Sequence, residues 1–398
     1  MSNWLTALLG CLVLLISAAT LFLTVWIVVP APTFTLLPLG VGAPEISPWL
    51  IGANAIAAIL ALQYCTESWL FRAVLVCSLV SLLISALPLS QFPAANQRAA
   101  NAMQSALGAD YLAGIPPGRQ TAMRPRPFVL MDVFRGIPTP AVPMTTAIPF
   151  ASPAGVPLTL TVYRPSAAGT HPTIVVIYGG AWQHGSSNDD APFGRYMAAR
   201  GYTVVAIDYR HAPQYRFPAQ LEDVQTALIY IQQHAEALGV DLQRVALMGR
   251  SAGAHLAMLA AYQPSVMPIR AVVDYYGPVD LTKGYYDVPR PDPINSRVVL
   301  NALLGGTPAD VPDLYRQASP YAFVHQSLPP SLLVYAGRDH LVQAKFGRSL
   351  YDRLRATGNR VVWIEIPWAE HAFDKVFSGV SNQLALYYTE RFLAWALW

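Results

Sequence analysis

The sequence predicts an α/β domain, a mostly parallel sheet with helices on both faces, preceded by an N-terminal region of transmembrane helices. Three observations predict it. From about residue 145 to the C-terminus, short apolar runs alternate with helical patterns, the rhythm of buried strands joined by helical crossovers. Residues 1–90 hold three long apolar runs that are nearly free of charge. Charged residues make up only 12% of the 398 positions, against roughly 25% in an average soluble protein, so part of the chain is expected outside water.

The first run, Leu5 to Val29, contains no charged residue. As a helix it would be roughly 37 Å long, enough for a hydrocarbon core of ~30 Å. The second run is Pro48 to Tyr64 and the third Leu70 to Leu89, with Arg72 at an edge from which it can snorkel. Trp4, Trp26, Trp49 and Trp69 lie near the ends of these runs, as interfacial anchors do. No Lys or Arg precedes the first run, and it is too long for the apolar core of a signal peptide, so it reads as an uncleaved span. The competing reading is a helical bundle buried in a soluble protein; a first run that is apolar all round favours the membrane. Arg98, Arg119, Arg124 and Arg126 follow the third run, whereas the earlier loops offer only Arg72. The positive-inside rule then puts the C-terminal part in the cytoplasm, in a multi-pass membrane protein.

Residues 91–130 read as a connector. Asn96 to Leu112 is Ala-rich and predicts a short helix, either solvated or lying on the membrane surface, stopped by Pro116-Pro117-Gly118. Residues 131–398 are the α/β domain. Thr145–Phe150 and Leu158–Tyr163 flank Ser152-Pro153-Ala154-Gly155, a hairpin signal. Further strands are predicted at Thr173–Tyr178, Tyr202–Tyr209, Arg244–Met248, Arg270–Tyr275, Ser331–Tyr335 and Val361–Ile366. Helices are predicted at Phe193–Arg200, Leu221–Ala237, Ala344–Ala356 and Gln383–Trp395. The region 277–328, rich in Pro, Asp and Tyr, breaks the rhythm and reads as a cap insertion.

Composition also excludes. The net charge is +3, and no basic cluster is interleaved with aromatics, so nucleic acid is not an expected partner. The three cysteines, Cys11, Cys65 and Cys77, lie in or beside the apolar runs. A disulfide framework, a Cys-ligated metal and a cysteine nucleophile are therefore excluded after Leu89. No His/Asp/Glu set has metal-ligand spacing, and neither metal nor cofactor is expected.

The chemistry centres on Gly249-Arg250-Ser251-Ala252-Gly253, between the strand Arg244–Met248 and a small-residue helix starting near Ala254. G-x-S-x-G in a strand–turn–helix setting is a nucleophile elbow: the glycines let helix and strand pack closely, and the serine projects above the sheet. The plainer alternative is a serine N-cap on an ordinary helix. A serine nucleophile needs a base and an orienting acid. Asp339 lies just past the strand Ser331–Tyr335 and His371 just past Val361–Ile366, in the chain order this architecture uses. An oxyanion needs rigid backbone N–H donors. Ala252 supplies one, and Gly180 and Ala181, in Tyr178-Gly179-Gly180-Ala181-Trp182 after an earlier strand, supply others. His255 reads as a packing residue, His184 and His211 as loop-stabilising, and His340 as pointing away from the site.

Tyr178–Trp182, then Asp208–Pro213 with Phe217-Pro218-Ala219 and Asp223, then Gly249–His255, together resemble the hormone-sensitive-lipase-like esterases of the α/β-hydrolase superfamily. The resemblance covers residues 145–398 and implies an α/β-hydrolase fold and carboxyl-ester hydrolysis, with Ser251, Asp339 and His371 as triad. Tyr178 departs from the common His of the oxyanion loop, and Ala181 from its Gly. The Tyr-Gly-Gly-Ala-Trp and Ser-Ala-Gly-Ala-His segments are also similar to prenylcysteine methylesterases, which are membrane-anchored. The expectation is a membrane-anchored serine hydrolase that cleaves small-molecule or lipid esters through an acyl-enzyme. Acyl transfer to a lipid or pigment alcohol is the alternative within the same chemistry. A non-catalytic binding protein on the same fold is the rival, and the presence of all three triad candidates counts against it.

Overall fold

The computed structural model describes residues 3–64 and 68–398; Cys65 lies outside them. One eight-stranded sheet has the order β1-β2-β4-β3-β5-β6-β7-β8. Its strands are β1 (Met144–Ala151), β2 (Leu158–Tyr163), β3 (His171–Ile177), β4 (Thr203–Ile207), β5 (Val240–Arg250), β6 (Ile269–Tyr275), β7 (Ser331–Ala336) and β8 (Val361–Ile366). β2 pairs antiparallel with both β1 and β4, and every other pairing is parallel. The aliphatic runs of β4 and β7 are buried at every position, as strands covered on both faces must be. This is the α/β architecture expected from the alternating pattern. β5 begins earlier than Arg244, because Val240 pairs with His171 across a register irregularity.

The helix Ala252–Ala261 is buried along its whole length. Its Ala and Gly residues let it lie close on β5 and β6, and so carry the residue before it to the C-terminal end of the sheet. The cap expected at 277–328 holds the helices Leu281–Tyr286, Ser296–Leu304 and Pro312–Gln317 between β6 and β7.

The N-terminal helices are α1 (Asn3–Val25), α2 (Leu37–Glu45), α3 (Ser47–Tyr64) and α4 (Trp69–Leu107). Among the described residues, α1, α3 and α4 are long and apolar enough to cross a membrane. Their outer surface is apolar, unlike that of a soluble bundle, and polar side chains are buried between them beside Val13, Ala57, Ala61, Phe71 and Val74. Leu8, Leu12, Leu15, Phe22, Ile56, Ile59, Val76 and Leu83 are exposed, whereas Ser17, Thr24, Asn54, Ser78, Ser81 and Ser85 are buried between helices. Ser17 and Ser78 hydroxyls meet at 3.1 Å, Thr24 and Ser85 at 3.3 Å, and Thr20 donates to Asn54 Oδ1 at 2.9 Å.

The connector differs from expectation. The short helix expected at Asn96–Leu112 is the end of α4, which runs unbroken through Pro88 and Pro93. Phe92, Ala95, Ala99 and Met103 are buried in the same core as the sheet, packed toward β8 and the helix Val380–Leu397. Tyr388 donates from its hydroxyl to Asn96 Oδ1 at 2.7 Å. The alanines that made the segment look weakly amphipathic are what allow this close approach.

Other contacts tie the apolar helices to the sheet. The Arg338 guanidinium donates to Ile27 O and, at 2.6 Å, to Val28 O. Glu45 Oε2 accepts from Ser381 N at 2.7 Å, placing a buried carboxyl group at the N-terminus of the helix Val380–Leu397. Trp49 Nε1 donates to Val133 O at 3.1 Å.

Candidate active site

Ser251 follows β5 with φ 51° and ψ −122°, a conformation L-residues rarely adopt. The flanking glycines make it attainable. A Cβ on Gly253 would lie 2.0 Å from Ile177 O, and one on Gly249 would lie 2.2 Å from the Gly253 carbonyl carbon. Ser251 N donates to Tyr275 O at 2.9 Å, fixing the turn to β6.

The loops after β7 and β8 bring the other two residues to the serine. Ser251 Oγ lies 2.9 Å from His371 Nε2, and His371 Nδ1 lies 2.7 Å from Asp339 Oδ2. With the ring proton on Nδ1, donated to Asp339, Nε2 is left to accept from the serine hydroxyl. Asp339 Oδ1 accepts from Leu341 N at 2.8 Å and Val342 N at 2.7 Å, which locks the carboxylate plane. Burial alone would lower the His371 pKa; the Asp339 charge and hydrogen bond, with Glu370 and Asp374 nearby, hold it above the ordinary imidazole value. His340 turns away to Glu370, its Nδ1 2.6 Å from Glu370 Oε2. Glu370 Oε1 also accepts from the backbone N–H groups of His340 and His371, so one carboxylate splints both loops.

The Tyr178–Trp182 loop follows β3. A Cβ on Gly179 would lie 2.8 Å from Arg250 O and 3.2 Å from Ser251 Cβ, so glycine is what lets the loop run this close to the serine. Gly180 has φ 130°, and Ala181 and Trp182 hold φ near 52° and 59°. Ala181 thus takes the left-handed conformation despite its methyl group. Among the described residues, the N–H groups of Gly180 and Ala181 find no partner within the chain. Both residues line a cavity of about 570 Å³ together with Ser251 and His371. Ala252, the first residue of its helix, is buried behind the serine.

The loop is braced from outside. Tyr178 stacks on Tyr209 at 4.5 Å, and its hydroxyl lies 2.9 Å from His211 Nε2. Trp182 Nε1 donates to His255 Nδ1 at 3.2 Å, and His255 Nε2 reaches Ala318 O at 2.6 Å. Burial pushes the His255 pKa down to about 4, consistent with a neutral ring that accepts at one nitrogen and donates at the other. Among the described residues, no group of three His, Cys, Asp or Glu gathers as a metal site.

Sequence reasoning missed a second charged cluster. Arg250, inside the G-x-S-x-G motif, is buried and hydrogen-bonds Asp374, while Asp190 Oδ2 sits at ion-pair distance, 3.2 Å from its Nη1. The Tyr276 hydroxyl donates to Asp374, and the Tyr276 ring lies 4.6 Å from the His371 ring. An arginine at the end of a buried strand was the available signal, because such a charge demands a partner. Asp374→Ala leaves Arg250 with Asp190 alone. It is expected to cost about 3 kcal/mol of stability, the low end for a broken buried pair. Denaturant unfolding measures it, and a change within about 0.5 kcal/mol, typical of surface sites, would show that Asp374 is not a needed counter-charge.

Residues 160–354 match the BD-FAE family model. LipM of Mycobacterium tuberculosis, a probable carboxylic ester hydrolase, is 32% identical over 241 residues, covering 57% of this chain and 54% of LipM. Esterase LipC of the same organism is 34% identical over 235 residues, covering 54% and 57%. Isoprenylcysteine alpha-carbonyl methylesterase ICME of Arabidopsis thaliana is 26% identical over 216 residues, covering 50% of each chain. The chain thus spans about half the length of the curated relatives it matches. Among solved structures, Thermogutta terrifontis esterase 2 phosphonylated by sarin aligns with TM-score 0.52 at 25% identity, covering 65% of this chain and 94% of that one.

Proposed function

We propose, from the premise that this chain belongs to the α/β-hydrolase superfamily as a relative of the hormone-sensitive-lipase-like and isoprenylcysteine methylesterases, that it is a membrane-anchored serine carboxylic ester hydrolase. The observation that carries the reading is the chain of hydrogen bonds from Ser251 Oγ through His371 to Asp339, at 2.9 and 2.7 Å, opening on the cavity. Ser251 Oγ attacks the ester carbonyl as His371 Nε2 takes its proton. The oxyanion is held by the N–H groups of Gly180, Ala181 and Ala252. Collapse expels the alcohol, which receives the proton from His371. Water, deprotonated by the same nitrogen, then attacks the acyl-enzyme; the acid leaves as Ser251 Oγ takes the proton back from His371, and Asp339 orients the ring throughout.

The anchoring reading rests on the outer surface of the bundle. Large apolar side chains face outward on α1, α3 and the first part of α4, while hydroxyls are paired inside beside an apolar core, the arrangement that suits lipid. In this reading residues 1–90 are the membrane region and 131–398 the hydrolase on its cytoplasmic side, with α4 passing from one into the other. Protease protection in sealed vesicles tests the side.

A fluorophosphonate probe and p-nitrophenyl esters of graded chain length test the chemistry on the full chain. Labelling and hydrolysis are expected; folded protein that does neither sinks the proposal. The pH profile has a definite sign. The base must be neutral, and Asp339 holds His371 protonated to higher pH than usual. So kcat/KM is expected to climb with pH through a titration above about 6.5 and then level off. A profile flat down to about pH 5 would remove His371 from the role of base.

A further inference from the structure

We infer that the N-terminal helical unit completes the substrate site: Phe34, in the segment between α1 and α2, and Leu37, the first residue of α2, supply the wall against which the hydrocarbon chain of a long-chain acyl ester lies. This rests on the reading of Ser251 as the nucleophile of an esterase. Phe34 and Leu37 line the same cavity as Ser251 and His371, although they lie far away in sequence and before every strand of the sheet. The wall contributed by the cap and by the region after β7 is apolar too, with Leu281, Leu300 and Phe346. Asp280, Asp287, Gln343 and Lys375 also reach the cavity, but most of its wall is apolar, which favours an aliphatic chain.

The segment is not a loose flap. On its N-terminal side Arg338, next to Asp339, grips the carbonyls of Ile27 and Val28. On its C-terminal side Glu45 is seated on Ser381 N, beyond the loop that carries His371. The clasp therefore closes on the loop that holds the acid at one end and on the helix that follows the base at the other. Phe34 itself is 60% exposed, and Val28 and Val29 just before it are exposed as well. A soluble protein gains nothing from presenting these side chains to water at a cavity rim. At a membrane interface the same side chains extend the lipid-facing surface of α1 to the cavity mouth. A bilayer-resident ester can then bring its carbonyl to Ser251 while its chain stays on apolar surface.

The test compares the full chain with its Phe34→Ala and Phe34→Leu variants, in the same detergent micelles, on p-nitrophenyl acetate and p-nitrophenyl palmitate. Phe34 is exposed, so truncating it leaves folding intact, and equal fluorophosphonate labelling of all three proteins checks that. Phe34→Ala is expected to lower kcat/KM on palmitate by about tenfold, the scale of one lost apolar contact surface, with acetate changed by less than about twofold. Phe34→Leu is expected to restore most of the palmitate rate. A parallel fall on both esters, or no fall on either, overturns the inference while leaving the esterase reading standing. Wild-type protein that neither labels nor cleaves acetate brings down the esterase reading itself, and this inference with it.

Discussion

Ser251→Ala is expected to lower turnover of a p-nitrophenyl ester by about a millionfold, the effect of removing the nucleophile from a serine triad. Alanine keeps the Cβ, so it inherits the strained backbone at φ 51° without adding to it. The lost hydroxyl has its hydrogen bond to His371 and otherwise faces the cavity, so thermal stability should hardly change. Turnover, fluorophosphonate labelling and a melting scan on the same preparation check this. Residual turnover within about a hundredfold of wild type would mean that another group performs the attack, since the oxyanion site and binding alone leave only a small remainder.

Asp339→Asn is expected to lower kcat by about ten-thousandfold, and the geometry says why. Asp339 Oδ1 already accepts two backbone N–H groups, from Leu341 and Val342. An asparagine must keep its single carbonyl oxygen on those donors, so its amide NH2 faces His371 Nδ1. The ring responds by carrying its proton on Nε2, toward the serine, and nothing remains to accept the Oγ proton. The same change removes the charge that favours the imidazolium, so the rising limb of the residual pH profile should move to lower pH. An unchanged kcat, or a limb that does not move, would detach Asp339 from the histidine's function.

Strand-end residues were the most legible part of the sequence. β2, β8 and the helix Ala344–Ala356 begin and end where composition alone placed them, because runs of β-branched and aromatic residues bounded by Gly or Pro have few other uses. Ser251, Asp339 and His371 sit directly after such strands, and the structure brings their side chains into one hydrogen-bonded line. What escaped depends on partners distant in the chain. The counter-charges of Arg250 come from Asp190 and Asp374, and no local pattern announces either. No sequence pattern singles out Phe34, which lines the cavity only through the folding of the chain before the first strand. The run Asn96–Leu112 reads as a linker helix because alanine has no marked preference for water or core, and its burial against β8 and the helix Val380–Leu397 depends on partners far along the chain.

The unbroken course of α4 has a mechanical consequence. At 39 residues it is a rod of roughly 58 Å, rooted at one end among the apolar helices and at the other in the core of the sheet. An enzyme on a flexible tether sweeps the space above a bilayer and meets substrates at many heights and angles. One mounted on a rod has a single standoff and a single bearing. With the apolar helices inserted, the mouth beside Ser251 would be held at one depth and one rotation relative to the lipid surface. The same rod rules out cutting the α/β domain free after Leu107, since Phe92, Ala95, Ala99 and Met103 would leave the core with it.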